Sequence, residues 1–282
     1  MRLLITGGKG MLGRTLQRHF QQHELFIADL PEVDITDGRG IEQAVAAFKP
    51  DVVIHCAAMT QVDACETEPD KAFRVNALGS ACVARAAARH GARMIAISTD
   101  YVFAGTLDRP YHEFDETMPR SVYGASKLAG EQVVRAHCPD HTIVRIAWLY
   151  GEGGPSFVHT MLKLGRQSGE ALKVVDDQIG NPTSADAVAG LIDRLLENPI
   201  PGVVHGTCEG EATWFQFAQA IFKFAGLARG IEPCTSAQFP RPAPRPANSR
   251  LEKRMLRLAG LTLMPHWQAE LEKFIATSKR SQ

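Results

Sequence analysis

Paired cysteines are missing from this sequence of 282 residues. The six cysteines are scattered, none forms a Cys-x-x-Cys pair, and several stand inside apolar runs. This usage predicts free, buried thiols and a reducing compartment. The ten histidines also form no cluster with the spacing of metal ligands, so we predict no bound metal.

An excess of charge of one sign is missing as well. Lys and Arg together number 31, as do Asp and Glu, so the chain has no overall field that would attract nucleic acid or a membrane surface. The first apolar run, Leu3-Leu4-Ile5, is too short for a signal peptide or a membrane span. We therefore expect a cytoplasmic protein whose partners are small molecules rather than nucleic acid or membranes.

The remaining composition is that of a folded chain with a large core, since 45% of the residues are hydrophobic and 22% are charged. Apolar strands alternate with helical patterns up to about residue 150. This alternation predicts an α/β fold with a doubly wound, mostly parallel sheet of the Rossmann type. Among its helices, one is predicted to run unbroken over residues 68–90, with a proline in its first turn.

Beyond residue 150 the alternation loosens, which predicts a smaller C-terminal α+β domain for substrate binding. We assign residues 1–150 plus about 171–200 to a dinucleotide-binding domain. Residues about 151–170 plus 201–282 are assigned to the substrate domain. Within the latter, Thr213-Trp214-Phe215-Gln216 is a capping box that predicts the start of an amphipathic helix.

A glycine-rich turn follows the first strand directly. The spacing Gly7-x-x-Gly10-x-x-Gly13 lets the backbone turn sharply and leaves room for a diphosphate at the start of the next helix. The second strand ends at Asp29, where a carboxylate can bind a ribose hydroxyl, so this region predicts dinucleotide binding. Asp29 favours NADH, whereas Lys9 and Arg14 are near enough in sequence to offset the 2'-phosphate of NADPH. The choice between NADPH and NADH stays open.

Tyr123 and Lys127 stand four positions apart on a predicted helix, so their side chains lie on one face. A nearby ammonium favours the phenolate and would bring the pKa of the tyrosine, ordinarily roughly 10, toward the working range. Thr99 follows a predicted strand, and its hydroxyl can hold a substrate carbonyl beside the phenol. The alternative is an ordinary solvated helix, because this spacing is common. All these residues are expected at the carboxyl edge of the sheet, where ligands bind.

Two further features leave alternatives open. The proline-rich run 239–246 is either a rigid linker or a segment whose Arg241 or Arg245 binds a phosphate. Asn76, inside the long helix, is either a hydrogen-bonded core amide, which we favour, or part of a proton relay. Small residues after the third strand, Ala57 and Ala58, let a cofactor lie close to the backbone.

Several motifs together resemble one family within the extended short-chain dehydrogenases/reductases, the dTDP-4-dehydrorhamnose reductases. The likeness covers residues 1 to about 258. Its motifs are Asp34-Ile35-Thr36-Asp37, Ala57-Ala58-Met59-Thr60-Gln61-Val62-Asp63, Val75-Asn76-Ala77, Ser98-Thr99-Asp100-Tyr101-Val102-Phe103, Arg145-Ile146-Ala147-Trp148-Leu149-Tyr150-Gly151, Asp177-Gln178-Ile179-Gly180-Asn181-Pro182-Thr183 and Arg245-Pro246-Ala247-Asn248-Ser249-Arg250-Leu251.

The resemblance implies reduction of the C4 carbonyl of dTDP-4-dehydrorhamnose to dTDP-L-rhamnose, with hydride from NADPH or NADH. It implies that Tyr123 gives the proton, Lys127 holds the ribose and Thr99 hydrogen-bonds the reacting oxygen. The implied sugar-pocket residues are Thr60, Val62, Asp100 and Trp148. The implied cofactor contacts, beside the glycine turn and Asp29, are Gly10, Met11, Leu12, Asp34, Ile35, Ala57 and Ala58.

The family also carries alternatives. Similar proteins serve as non-catalytic regulatory subunits, notably of methionine adenosyltransferase, and others reduce different nucleotide-linked 4-keto sugars. Some members are metal-bridged dimers that use an acid two residues beyond the last glycine of the turn. Here that position is Thr15, which argues against the metal bridge, so we expect a monomer or a homodimer without metal.

Overall fold

The computed structural model describes residues 1–280 and has a parallel sheet of six strands at its centre. Its strands are β1 (Arg2–Thr6), β2 (Glu24–Ala28), β3 (Val52–His55), β4 (Arg93–Thr99), β5 (His141–Ile146) and β10 (Gly202–His205). Their order in the sheet is β10-β5-β4-β3-β1-β2, and every neighbouring pair is parallel. The predicted doubly wound parallel fold is confirmed.

Helices cover both faces of this sheet. Successive residues of a buried strand face opposite layers, and in β1 the side chains of Leu3 and Ile5 join one core while Leu4 joins the other. The α-helices within residues 1–280 are α1 (Met11–His19), α2 (Gly38–Phe48), α3 (Val62–Thr67), α4 (Pro69–Phe73), α5 (Ser80–Arg89), α6 (Val122–His137), α7 (Phe157–Gly165), α8 (Ala185–Glu197), α9 (Trp214–Ala225), α10 (Arg254–Leu258) and α11 (Trp267–Arg280). Helices α1 and α8 pack together, whereas α2, α5 and α6 form a second packed group.

The predicted helix over 68–90 is interrupted rather than unbroken. A π-helical turn, Arg74–Gly79, separates α4 from α5. The turn contains Asn76, whose amide donates to Met59 O at 3.1 Å and Ser126 Oγ at 2.9 Å, while its oxygen accepts from Met59 N at 2.8 Å. Asn76 is therefore a hydrogen-bonded core amide. It links the π-helical turn to Met59 and to Ser126 of α6.

The remaining strands form three small sheets at the carboxyl edge of the large one. They are β6 (Leu149–Tyr150), β7 (Leu172–Val175), β8 (Ile179–Gly180), β9 (Thr183–Ser184), β11 (Ala212–Thr213), β12 (Ile231–Cys234) and β13 (Asn248–Ser249). Their orders are β11-β8-β13, β12-β7 and β6-β9. The predicted capping box opens α9, with Thr213 Oγ1 accepting from Gln216 N at 3.1 Å.

The division into two domains stays a prediction, but two segments lie elsewhere than it assigns them. Strand β10, placed by sequence in the substrate domain, pairs with β5 in the large sheet. Strand β7, placed in the dinucleotide domain, pairs with β12 in a small sheet. Both differences arise from pairing between distant segments, which a local sequence pattern does not reveal. None of the helices in residues 1–280 combines the length and the hydrophobicity of a membrane span.

Candidate active site

The strand order reverses between β1 and β3, and a cleft opens there at the carboxyl ends of the strands. The cleft has a volume of about 650 Å³. It is lined by seventeen of the eighteen residues that the sequence predicts for the site: Gly7, Gly10, Met11, Leu12, Gly13, Asp29, Asp34, Ile35, Ala57, Ala58, Thr60, Val62, Thr99, Asp100, Tyr123, Lys127 and Trp148. Their roles remain predictions, but their common location is a property of the fold.

The glycine turn forms the floor of the cleft. Gly7 has φ of 67°, and a Cβ there would lie 2.6 Å from the Ala57 nitrogen, so the strand ends approach too closely for a side chain. Gly10 is the N-cap of α1 and offers no side-chain cap. The first amides of α1 therefore have no capping side chain, and a diphosphate fits this helix terminus.

Asp29 stands at the end of β2, where a ribose would lie. Its carboxylate accepts from the backbone nitrogens of Lys9 at 2.7 Å and Leu30 at 2.8 Å. The Lys9 ammonium pairs with Glu32 at 2.9 Å. The residues thus suit a nicotinamide dinucleotide, with an acid fixed at the ribose position and one cation beside it.

Tyr123 and Thr99 meet where α6 begins beside the end of β4. Ser121 caps the helix, its Oγ accepting from Gly124 N at 3.1 Å. Gly124 allows the helix to lie against Tyr101, because a Cβ there would stand 2.2 Å from the Tyr101 oxygen. The Thr99 hydroxyl lies near the Tyr123 phenol and lowers its pKa. The phenol and a second hydroxyl therefore converge on one point of the cleft.

The pKa of Tyr123 differs from the sequence expectation. Burial raises the pKa of this phenol, while the Thr99 hydroxyl opposes the rise and the Asp100 charge adds to it. The reason is desolvation, which disfavours the phenolate. Lys127 lies close by on the same helix, but its ammonium donates to the Ile97 carbonyl oxygen at 2.8 Å. Tyr123 is thus held as a neutral phenol, the form that can donate a proton.

Lys127 is buried in the same cleft and is 7% exposed. Burial lowers its pKa to about 8, and the Glu131 carboxylate one helical turn away opposes that fall. The group therefore keeps its charge at neutral pH. In that form it can hold a ribose hydroxyl and stabilise a phenolate beside it.

The predicted sugar-pocket residues lie beyond the reacting hydroxyls. Burial raises the pKa of Asp100 to about 6, against hydrogen bonds from Ser249 and Thr99. Trp148 follows β5 and stacks on Trp214 with ring centroids 3.5 Å apart. Thr60 and Val62 contribute the wall on the side of β3 and α3. This end combines aromatic surface with a carboxyl group, as a sugar site requires.

Arg245 does not line the cleft itself. It lines an adjoining pocket of about 240 Å³ that shares Tyr101 with the cleft. Its guanidinium pairs with Asp63 at 2.9 Å and donates to the Ala243 oxygen at 2.9 Å. Arg241, the alternative in the same run, is exposed. The phosphate role of Arg245 stays a prediction, placed at the outer end of the site.

Sequence reasoning missed three contributors. Tyr101 packs edge-on against Tyr123, with centroids 5.4 Å apart. The loop 153–155 closes the cleft near the glycine turn. Glu131 and Arg145 form a buried ion pair behind Lys127, at 2.7 Å. The glycines of the loop and a Glu four residues after Lys127 were signals of these features, but neither is specific alone.

Comparison with known proteins agrees with this geometry. The family model described as "RmlD substrate binding domain" matches residues 1–280. A dTDP-4-dehydrorhamnose reductase of Streptomyces griseus is 43% identical over 291 residues, covering 99% of this chain and 95% of that protein. A probable dTDP-4,6-dihydroxy-2-methyloxan-3-one 4-ketoreductase of Streptomyces antibioticus is 41% identical over 280 residues, covering 97% and 94%.

A solved structure adds the cofactor of a relative. The dTDP-4-dehydrorhamnose reductase of Bacillus anthracis, in complex with NADP, is 40% identical to this chain. It superposes with a TM-score of 0.95, covering 98% of this chain and 99% of that one. Matches of this identity and coverage, together with the family model, place this chain in the RmlD substrate binding domain family.

Proposed function

We propose that this protein is an NAD(P)H-dependent oxidoreductase that reduces the C4 carbonyl of dTDP-4-dehydrorhamnose to give dTDP-L-rhamnose. The observation that carries the proposal is the single cleft that joins the glycine turn to Thr99, Tyr123 and Lys127. Named reductases of this sugar nucleotide match nearly the whole chain, which supports the same substrate.

In the proposed reaction the nicotinamide, when bound, supplies a hydride to C4. Thr99 orients the carbonyl oxygen through its hydroxyl. Tyr123 donates its phenolic proton to that oxygen as negative charge develops on it, so that the carbonyl becomes a secondary alcohol. Lys127 binds the ribose and then stabilises the phenolate with its charge. The raised pKa of Tyr123 keeps the proton in place until the alkoxide forms.

The Tyr123→Phe variant tests the proton donor. The change removes only the hydroxyl, so we expect turnover to fall by about 10²- to 10⁴-fold, the usual contribution of a general acid. The measurement is the loss of absorbance at 340 nm that depends on the keto sugar nucleotide. Cofactor binding, followed by nicotinamide fluorescence, serves as the control and should change little. Wild-type turnover in this variant would remove Tyr123 from the mechanism.

A second candidate is reduction of a different dTDP-linked 4-keto sugar. The match to a 4-ketoreductase named for another dTDP sugar favours this alternative at the level of the sugar alone. A panel of dTDP-4-keto sugars, with identification of the products, separates the two. A regulatory subunit without turnover is the remaining alternative, and sustained reduction of any member of the panel rules it out.

The cellular setting and assembly belong to the same proposal. All six cysteines are free thiols, and four of them are buried, which suits a reducing cytoplasm. The position of the metal-bridging acid is Thr15, which is 1% exposed and donates to the Met11 oxygen at 3.1 Å. We propose a monomer or a homodimer without that metal, which light scattering with and without a chelator distinguishes.

A further inference from the structure

Trp148 has an unusual backbone conformation for a large side chain. Its φ is 48°, in the left-handed region that bulky residues rarely adopt. It lies two residues after β5, between the large sheet and β6, and lines the cleft at the sugar end. A residue keeps such a strained conformation only when contacts from the surrounding structure enforce it. Residues of this kind cluster where ligands bind.

Three contacts hold Trp148 in place. Its ring lies parallel to that of Trp214, at 8° between planes and 3.5 Å between centroids. Its carbonyl oxygen accepts from Thr183 N at 3.2 Å. Gly180 leaves room for the indole, because a Cβ there would stand 2.6 Å from the Trp148 ring. The indole is thus confined on the side away from the cleft.

Trp214 is itself fixed by a chain of hydrogen bonds. Its Nε1 donates to Gln178 Oε1 at 3.0 Å, and Gln178 Nε2 donates to Ser236 Oγ at 2.8 Å. Ser236 Oγ in turn donates to Asp177 Oδ1 at 2.6 Å. Trp214 is the first residue of α9, whose capping box sets the start of the helix. Trp214 does not itself line the cleft, but its ring contacts Trp148, which does.

We propose that Trp214 is a positioning residue for sugar specificity, which holds Trp148 against the sugar of the nucleotide-linked substrate through their stacked rings. The inference rests on the proposed function, since it concerns the sugar end of that same site. It also gives a role to segment 177–180, which orients Trp214 through Gln178 and leaves space for Trp148 at Gly180. Without the stacked ring, Trp148 is free to relax to an ordinary backbone conformation and leave the sugar.

The test compares Trp214→Ala with Trp214→Phe by calorimetric titration with two ligands, dTDP-L-rhamnose and dTDP. The alanine variant should bind dTDP-L-rhamnose at least tenfold more weakly than wild type while binding dTDP within about twofold. The phenylalanine variant, which keeps a stacking ring, should recover most of the loss. Gly180→Ala, which pushes on the Trp148 ring and keeps Trp214 itself, should reproduce the selective loss.

Steady-state kinetics add a second readout. In Trp214→Ala the KM for the keto sugar nucleotide should rise at least tenfold while the KM for the cofactor stays within about twofold. Equal weakening of dTDP and dTDP-L-rhamnose, or an alanine variant that binds both as wild type does, would overturn the inference. Binding of dTDP-L-rhamnose by wild type without any turnover would instead refute the proposed function and leave the positioning role intact.

Discussion

Glu131 lies on α6, one helical turn after Lys127, and its replacement by Gln removes the charge while keeping the size of the side chain. The Glu131 side chain is 1% exposed, and its carboxylate accepts from Arg145 Nε at 2.8 Å and Nη2 at 2.7 Å. It also accepts from Ser98 Oγ at 2.6 Å. These contacts join α6, which carries Tyr123 and Lys127, to the ends of β4 and β5.

The same carboxylate acts on Lys127. Both side chains line a small cavity of about 10 Å³ together with His55, Ser80 and Ser98. At pH 8 both His55 and Cys56 are neutral, because burial lowers the pKa of His55 to about 3 and raises the pKa of Cys56 to about 12. Glu131 therefore supplies the negative charge that opposes the desolvation of Lys127.

The sign of the pH effect follows from the direction of the Lys127 shift. Its pKa is lowered to about 8, so activity that needs the ammonium is present below that pH and is lost as pH rises through it. Glu131→Gln removes the group that raises this pKa. The alkaline limb of kcat/KM should therefore move to lower pH. The expected shift is about one pH unit, the size that a nearby opposite charge produces.

Stability should fall in the same variant. Removing one partner of a buried ion pair leaves the other uncompensated and costs about 3–5 kcal/mol. Arg135, whose side chain is 44% exposed and lies 3.2 Å from the same carboxylate, is the matched control, and Arg135→Ala should cost less than about 1 kcal/mol. Urea unfolding measures both, and saturating cofactor keeps the Gln variant folded for kinetics.

Glu131→Asp separates charge from packing. It keeps a carboxylate, so its alkaline limb should stay near that of wild type even if its stability falls. An alkaline limb in Glu131→Gln that superposes on the wild-type limb would refute the electrostatic argument. Shifts of equal size in the Asp and Gln variants would assign the effect to altered packing.

Two further predictions concern the ends of the site. Asp29→Asn removes the negative charge beside the ribose. The ratio of kcat/KM for NADPH to kcat/KM for NADH should therefore rise about tenfold, equivalent to about 1.4 kcal/mol. An unchanged ratio would place the 2'-phosphate away from this residue. Arg245→Ala should raise the KM for the sugar nucleotide about tenfold, whereas Asp63→Ala, which breaks the same partly exposed pair and leaves the cation, should not. Equal effects of the two changes would mean that the pair supports only the loop.

The reacting groups were predictable from sequence because each sits at a local signal whose place in the fold is fixed. A glycine turn after the first strand, and a hydroxyl after a later strand, must come to the same edge of a parallel sheet. The helix spacing of Tyr123 and Lys127 then directs both side chains to that edge. No long-range information is needed to bring Gly7, Thr99 and Tyr123 together.

The rest depends on contacts between distant segments. Strand β10 enters the large sheet by pairing with β5, about sixty residues earlier, as Val204 beside Val144. Trp148 acquires its left-handed backbone from packing against Trp214 and Gly180. Neither relation leaves a periodic trace in the sequence. The same limit explains the pKa of Tyr123, which is set by how completely the fold removes water from the phenol.

That removal of water accounts for the direction of the proposed chemistry. Burial raises the pKa of Tyr123 and lowers the pKa of Lys127 to about 8, because each loses the hydration that favours its charged form. The neutral phenol is the form that a carbonyl reduction consumes, and the ammonium is the charge that the resulting phenolate needs. Glu131 raises the pKa of Lys127 and so helps to keep it protonated at neutral pH. The buried pair of side chains is thus poised for proton donation, and the carboxylate behind it sets the pH above which that donation fails.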